Sequence, residues 1–257
     1  MSEIQNIFIE EHKIHTYHVD FEQKITIPSI FLFMQEIAWH HANKYGFGYQ
    51  HLRDKGMFWV LSKLHLIVHR YPRWNDVLHL ETWGKEPEPL TAFRDFEGYD
   101  QNKHFLFSAT SAWHVLSAAN NRLQRTDEFK KNFPVPEGKH AIEAKPKKLA
   151  APENVEKTEA LPILPSDIDM NMHVNNTRYV QWAIDAFGFD FVQQNIMCEI
   201  EINFLWQAVA GDQYIVTTSQ QGDNEYIQSI LRSSDNKELA RMKTKWEKRF
   251  SNGGEFR

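Results

Sequence analysis

The chain has 257 residues, enough for one large domain or two of ordinary size, each with a core of its own. With 42% hydrophobic and 25% charged residues it is a globular composition, which excludes disordered, collagen-like and mucin-like chains. A formal net charge of -5 leaves no overall cationic field for a phosphate backbone, so nucleic acid is not an expected partner.

Cys198 is the single cysteine, which rules out an internal disulfide framework and any site needing two thiolates. A reducing cytoplasm is the expected location. The opening residues are broken by charges every few positions and lack the apolar core of a signal peptide. No run approaches the ~20 apolar residues of a membrane span.

In chain order, Ile30, Phe33, Met34, Ile37, Ala38, His41 and Tyr45 fall at helical spacing behind a Pro28-Ser29 start, with Gly46 as the stop. The period then changes to two: Phe58, Val60, Leu64, Leu66 and Val68 alternate with Lys63, His65 and His69. That is the pattern of half-buried antiparallel strands. Pro134, Pro136, Pro146, Pro152, Pro162 and Pro165 crowd the middle, so residues 131–160 read as a linker between a first half, 1–130, and a second, 161–250.

The second half repeats the first. Tyr179, Val180, Ala183, Ile184 and Phe187 form a helical stripe behind Asn175 and Asn176, closed by Gly188, and Ile200, Ile202, Phe204 and Trp206 then alternate with polar residues. Landmarks recur in order: Asp76 and Asp212, Asp100 and Asp235, Trp113 and Trp246 stand 136, 135 and 133 residues apart. Near-constant offsets argue for duplication. Each half is a helix plus an antiparallel sheet, an α+β class.

No nucleophile elbow, phosphate loop, metalloprotease motif or complete dinucleotide fingerprint is present. His65 and His69 read as surface histidines of a strand, His41 as a satisfied core or pocket-lining histidine, and Cys198 as buried; no metal site is expected. The exception is the run from Ser166 to Asn176, which packs two carboxylates, a histidine and three asparagines against a helix start. In an extended lead-in, Asp169, Asn171 and His173 would point to one side. His173 could then act as a general base, with the helix N-terminus facing a developing oxyanion. The same residues also read as an elaborate N-cap, with His173 a bystander. Spacing alone leaves both open.

The run Asp167-Ile168-Asp169-Met170-Asn171-Met172-His173-Val174-Asn175-Asn176, followed by Tyr179 and Trp182, resembles the signature of acyl-acyl-carrier-protein thioesterases. So do Trp59-Val60, the segment Val68 to Val77 around Arg70-Tyr71-Pro72, and the helix around Gln35-Glu36-Ile37-Ala38. The resemblance implies a double hotdog fold, two helix-wrapped antiparallel sheets in tandem, with one active site in the second half and an acyl-chain pocket in the first. Carried over by position, Asp169, Asn171 and His173 are the catalytic residues; the helix-start N–H groups expected to face the oxyanion are those of Val174 and Asn175. Phe33, Met34, Ile37, Phe58 and Trp59 are candidates for the acyl pocket.

Where plant members carry a Glu-Cys pair, this chain has Gln207-Ala208, so no thiol acts there and Gln207 is left to position water or substrate by hydrogen bonds. The implied reaction is hydrolysis of fatty acyl-acyl carrier protein without a cofactor. The expected partners are the acyl carrier protein and its fatty acyl thioester, with a homodimer also allowed for. Lys130, Lys131, Arg122 and Arg125 are a candidate basic patch for an acidic carrier. Two rivals are an acyl-CoA thioesterase and a non-catalytic acyl-binding hotdog protein. A third, dehydration on the same fold, lacks an identifiable His–Glu pair.

Overall fold

The computed structural model describes residues 7–126 and 135–249, and the chain divides into two units, Met1–Lys148 and Leu149–Arg257. In the first, the long helix α1 (Ile27–Lys44) begins one residue before its Pro28-Ser29 signal. Thr26 is the cap: its Oγ1 accepts from the Ser29 N–H at 3.2 Å, and Pro28 sits in the first turn, where its missing N–H costs nothing. Gly46, at φ 77°, takes the left-handed turn that ends it. Ile30, Met34, Ile37, Ala38 and His41 form its buried stripe.

Among the described residues six strands accompany α1 in this unit: β1 (Phe8–Lys13), β2 (Met57–Val68), β3 (Val77–Glu88), β4 (Thr91–Tyr99), β5 (Phe105–Ser117) and β6 (Leu123–Gln124). They pair antiparallel in the order β1-β3-β4-β5-β2, with β6 added to β5, and a short helix α2 (Tyr49–Asp54) precedes β2. The alternation expected along β2 holds only for its second part. A register shift between Leu61 and Lys63 turns the strand over, so Leu61 is buried while Phe58 and Val60 are only half-buried. His69 lies beyond the strand end, its ring tilted against Phe105 at 5.2 Å.

The proline-rich stretch is shared between the units, and residues 131–134 lie outside the described residues. Residues 139–145 belong to the first unit and are pinned to its sheet. Lys139 pairs with Glu81 and Glu97 at 3.1 and 3.2 Å, the Ala141 N–H donates to Asp95 at 2.8 Å, and Lys85 donates to the Ile142 carbonyl at 2.8 Å.

The second unit holds helix α3 (Asn176–Asp185), helix α4 (Phe189–Gln194) and strands β7 (Glu156–Lys157), β8 (Leu161–Pro162), β9 (Asn195–Phe204), β10 (Gln213–Gly222), β11 (Glu225–Arg232) and β12 (Glu238–Lys248). Their antiparallel order is β9-β12-β11-β10-β7, with β8 also on β10. Ile200 and Ile202 are buried as expected. Trp206 lies past the end of β9 and is 58% exposed, so it extends no core stripe.

The landmarks that suggested duplication perform the same physical task in each unit. The Asp76 carboxylate accepts from the Arg73 N–H at 2.8 Å, and its carbonyl accepts from the Ile14 N–H at 3.0 Å. Asp212 accepts from the Val209 N–H and, through its carbonyl, from the Ile163 N–H, both at 3.2 Å. Trp113 donates to Ser111 two residues back at 2.9 Å, and Trp246 donates to Thr244 at 3.0 Å. The fold is α+β, a hotdog built twice along the chain.

Candidate active site

Asp169, Asn171 and His173 sit on a tight hairpin and not on the extended lead-in expected from their spacing. Ile168 and Val174 form an antiparallel bridge, the Asp169 N–H donates to the His173 carbonyl at 2.8 Å, and the Met172 N–H donates to the Asp169 carbonyl at 3.0 Å. Met172 closes the turn at φ 64°, a conformation its side chain does not advertise. The Asp169 carboxylate organises the loop: its Oδ1 accepts from the N–H of Asn171 at 2.8 Å and of His173 at 3.4 Å. Its other oxygen receives no donor among the described residues. The side chains of Asn171 and His173 likewise make no hydrogen bond there, Asn171 being exposed and His173 half-buried.

Asp167, the other carboxylate of the run, is committed to structure. It is buried, accepts from the Leu164 N–H at 2.8 Å and faces Arg178 at 3.5 Å. Asn175 is the cap of α3, its Oδ1 accepting from the Thr177 N–H at 2.9 Å, so the N-cap reading is right for this residue.

The oxyanion assignment is corrected. The Val174 N–H already donates to the Ala208 carbonyl at 3.0 Å, and the Asn175 N–H to the Asp167 carbonyl at 2.9 Å. A backbone N–H already donating to a carbonyl can give an oxyanion only a shared, weaker bond. The Asn176 N–H, at the first helical position, has no intrahelical partner and no other acceptor among the described residues.

The Val174–Ala208 bond also brings Gln207 beside this hairpin. Gln207 has an exposed side chain, and its carbonyl accepts from Arg232 at 3.3 Å. The Ala208 N–H donates to the hydroxyl of buried Tyr179 at 3.1 Å. Burial first, then the charge of Asp212, pushes the Tyr179 phenol up to about 12. The sequence shows Tyr179 as part of a helical stripe and a flank of the motif; its contact with Ala208 spans 29 residues and left no local signal.

The first unit builds the same hairpin. Val19 bridges Ile25, the Asp20 N–H donates to the Lys24 carbonyl at 2.8 Å, and Gln23 takes φ 63°. The Asp20 Oδ1 accepts from the N–H of Glu22 at 2.9 Å and of Lys24 at 3.0 Å. Glu22 and Lys24 therefore occupy the positions of Asn171 and His173, and they close on each other as an ion pair at 2.9 Å.

The acyl-pocket candidates are not equivalent. Met34 and Ile37 are core side chains, whereas Phe33 lies against His12 and His18, each at 4.7 Å. Phe58 is half-buried on β2, and Trp59 donates to the Phe47 carbonyl at 2.8 Å beside a cluster of Ala42, Phe47, Leu52 and Val115. Of the basic cluster, Arg122 and Arg125 are exposed, and Lys130 and Lys131 lie outside the described residues.

Among the described residues no helix is long and apolar enough to cross a membrane. Comparison with known proteins gives concordant results. Oleoyl-acyl carrier protein thioesterase 2 of Arabidopsis thaliana is 26% identical over 282 residues, covering 94% of this chain and 77% of that protein. The palmitoyl-acyl carrier protein thioesterase of Cuphea hookeriana is 24% identical, covering 93% of this chain and 62% of that protein. Among solved structures, an acyl-ACP thioesterase from Bacteroides thetaiotaomicron matches with a TM-score of 0.88 at 23% identity, covering 96% of this chain and all of that one. The 12:0-ACP thioesterase from Umbellularia californica matches at 0.80 and 21% identity, covering 95% and 98%. The models of the acyl-ACP thioesterase N-terminal and C-terminal domains match residues 5–133 and 150–248, and the chain belongs to the acyl-ACP thioesterase family.

Proposed function

We propose that this chain hydrolyses fatty acyl thioesters of acyl carrier protein, releasing free fatty acid and the carrier thiol. The observation that carries the assignment to a site is the repeated hairpin. Two copies share the bridge, the Asp turn and the capped helix, yet only the second presents Asn171 and His173, where the first has a closed Lys24–Glu22 ion pair. What differs between copies of one scaffold is what the scaffold did not need for folding.

In this reading His173 takes a proton from water, whose oxygen bonds to the thioester carbonyl carbon. The C–S bond then breaks, and the proton passes to the leaving sulfur. Asp169 holds the loop by one carboxylate oxygen, which keeps its charge on the same turn as His173. Asn171 and Gln207 orient water and carbonyl, and the Asn176 N–H stands in for the spent donors of Val174 and Asn175 as the oxyanion contact. No cofactor is called for. A single buried cysteine suits a reducing cytoplasm.

The test is substitution. Asn171→Ala and His173→Ala lower kcat by at least ~10²-fold with melting temperature preserved, the usual cost of one lost electrostatic partner. A variant that keeps more than about a third of wild-type activity takes that residue out of the mechanism, since such a partner is worth far more.

A further inference from the structure

The two hairpins serve as each other's control. In both, the residue before the helix cap donates its N–H to a neighbouring loop: Ile25 to the Pro72 carbonyl and Val174 to the Ala208 carbonyl, each at 3.0 Å. Pro72 and Ala208 are thus counterparts. Four residues beyond the caps Thr26 and Asn175 stand Ile30 and Tyr179, both buried. In the first unit this pair is an isoleucine and a proline, which have no side-chain polar group and no N–H to offer. In the second it is a tyrosine and an alanine, joined by the Ala208 N–H bond to the Tyr179 hydroxyl at 3.1 Å.

The scaffold therefore folds without this bond, and it occurs in the copy that carries Asn171 and His173. We infer that Tyr179 is a positioning residue for the reaction, fixing the Gln207–Ala208 segment against the Asn171–His173 arm. With it, three polar groups around the Gln207–Ala208 peptide are held: the Gln207 carbonyl by Arg232, the Ala208 N–H by Tyr179 and the Ala208 carbonyl by Val174. The exposed Gln207 side chain then projects from an immobile backbone. A looser segment would shift it by a fraction of an ångström to an ångström, enough to slow an oriented reaction by up to ~10²-fold. The Tyr179 ring is seated independently of its hydroxyl, edge-on to Trp182 at 5.3 Å and to Phe204 at 6.0 Å, so phenylalanine keeps the packing.

The inference rests on the hydrolase reading, and the experiment separates the two. Tyr179→Phe is compared with wild type for kcat and KM on an acyl carrier protein thioester, for melting temperature, and for amide exchange at Ala208 by NMR. The expected result is a kcat lowered about 10- to 100-fold with KM and melting temperature close to wild type. Exchange at Ala208 should be clearly faster. Ala208→Pro, which copies Pro72, should lower kcat to the same degree, and adding Tyr179→Phe to it should cost nothing more. A wild-type kcat in Tyr179→Phe, or an unchanged Ala208 exchange rate, would overturn the inference. Absence of turnover by the wild type on any acyl thioester would overturn the hydrolase reading itself, while the exchange rate would still report whether the bond exists.

Discussion

Asp20 and Asp169 make nearly the same hydrogen bonds in two copies of one hairpin, so paired substitutions separate turn-making from chemistry. Each Oδ1 accepts two backbone N–H groups, at 2.9 and 3.0 Å for Asp20 and at 2.8 and 3.4 Å for Asp169. Both residues are half-buried, so water replaces part of what is lost. Alanine at either position should cost about 0.5–2 kcal/mol, like the loss of a helix cap. Asparagine retains the acceptor and should cost less than ~1 kcal/mol, a melting shift of a few degrees in a chain of this size. Activity should divide the pair completely: Asp20→Asn keeps wild-type kcat, and Asp169→Asn falls by ~10²- to 10³-fold because its charge is gone while its turn remains. Thermal melts and thiol release on the same four variants decide the matter. If Asp169→Asn turns over like wild type, the carboxylate is a turn former and His173 acts without it. If Asp20→Ala loses activity in step with Asp169→Ala, the common cause is stability and the chemical role fails.

Two further outcomes follow from buried groups. His41 is held near a pKa of about 2 by burial first and then by Arg94, whose guanidinium lies 2.8 Å from its Nδ1. Below the ordinary value of 6.5 the unfolded chain takes up a proton that the folded one refuses. Stability should therefore fall as pH drops from about 6.5 toward 2, by up to ~1.4 kcal/mol per unit. In His41→Gln, which keeps an acceptor for Arg94, urea midpoints between pH 7 and pH 5 should lose that slope; an unchanged slope refutes the assignment. Burial first, then Glu247, pushes the Cys198 thiol up to about 12, and its Sγ donates to the Lys245 carbonyl at 3.4 Å. Ellman's reagent should then leave the folded protein unmodified at pH 8, and Cys198→Ser should keep full activity. Inactivation in proportion to Cys198 labelling would contradict this.

The duplication was legible because Asp76, Asp212, Trp113 and Trp246 are turn and strand-end residues whose hydrogen bonds depend on residue type. The two hairpins are not announced as turns by their residues. They share little besides the aspartate, their left-handed positions are filled by Gln23 and Met172 instead of glycine, and they lie 149 residues apart, off the later offsets. Assuming an extended lead-in for Asp169 to His173 was the direct consequence. The choice of Val174 and Asn175 as oxyanion donors failed for another reason: which N–H groups are already spent depends on Ala208 and Asp167, a tertiary fact. The register shift after Leu61 likewise turned the first part of β2 over, which no alternation of residue types announces. The set Asp169, Asn171 and His173 was singled out by a family motif, and the structure places all three on one hairpin.

The central claim is hydrolysis at the second hairpin. Its most direct test is thiol release from carrier-protein thioesters of graded chain length, with coenzyme A esters of the same acyl groups and His173→Ala in parallel. The account predicts turnover on the carrier-protein esters, reduced at least ~10²-fold in His173→Ala. Turnover that survives the substitution, or none on any ester, would contradict it.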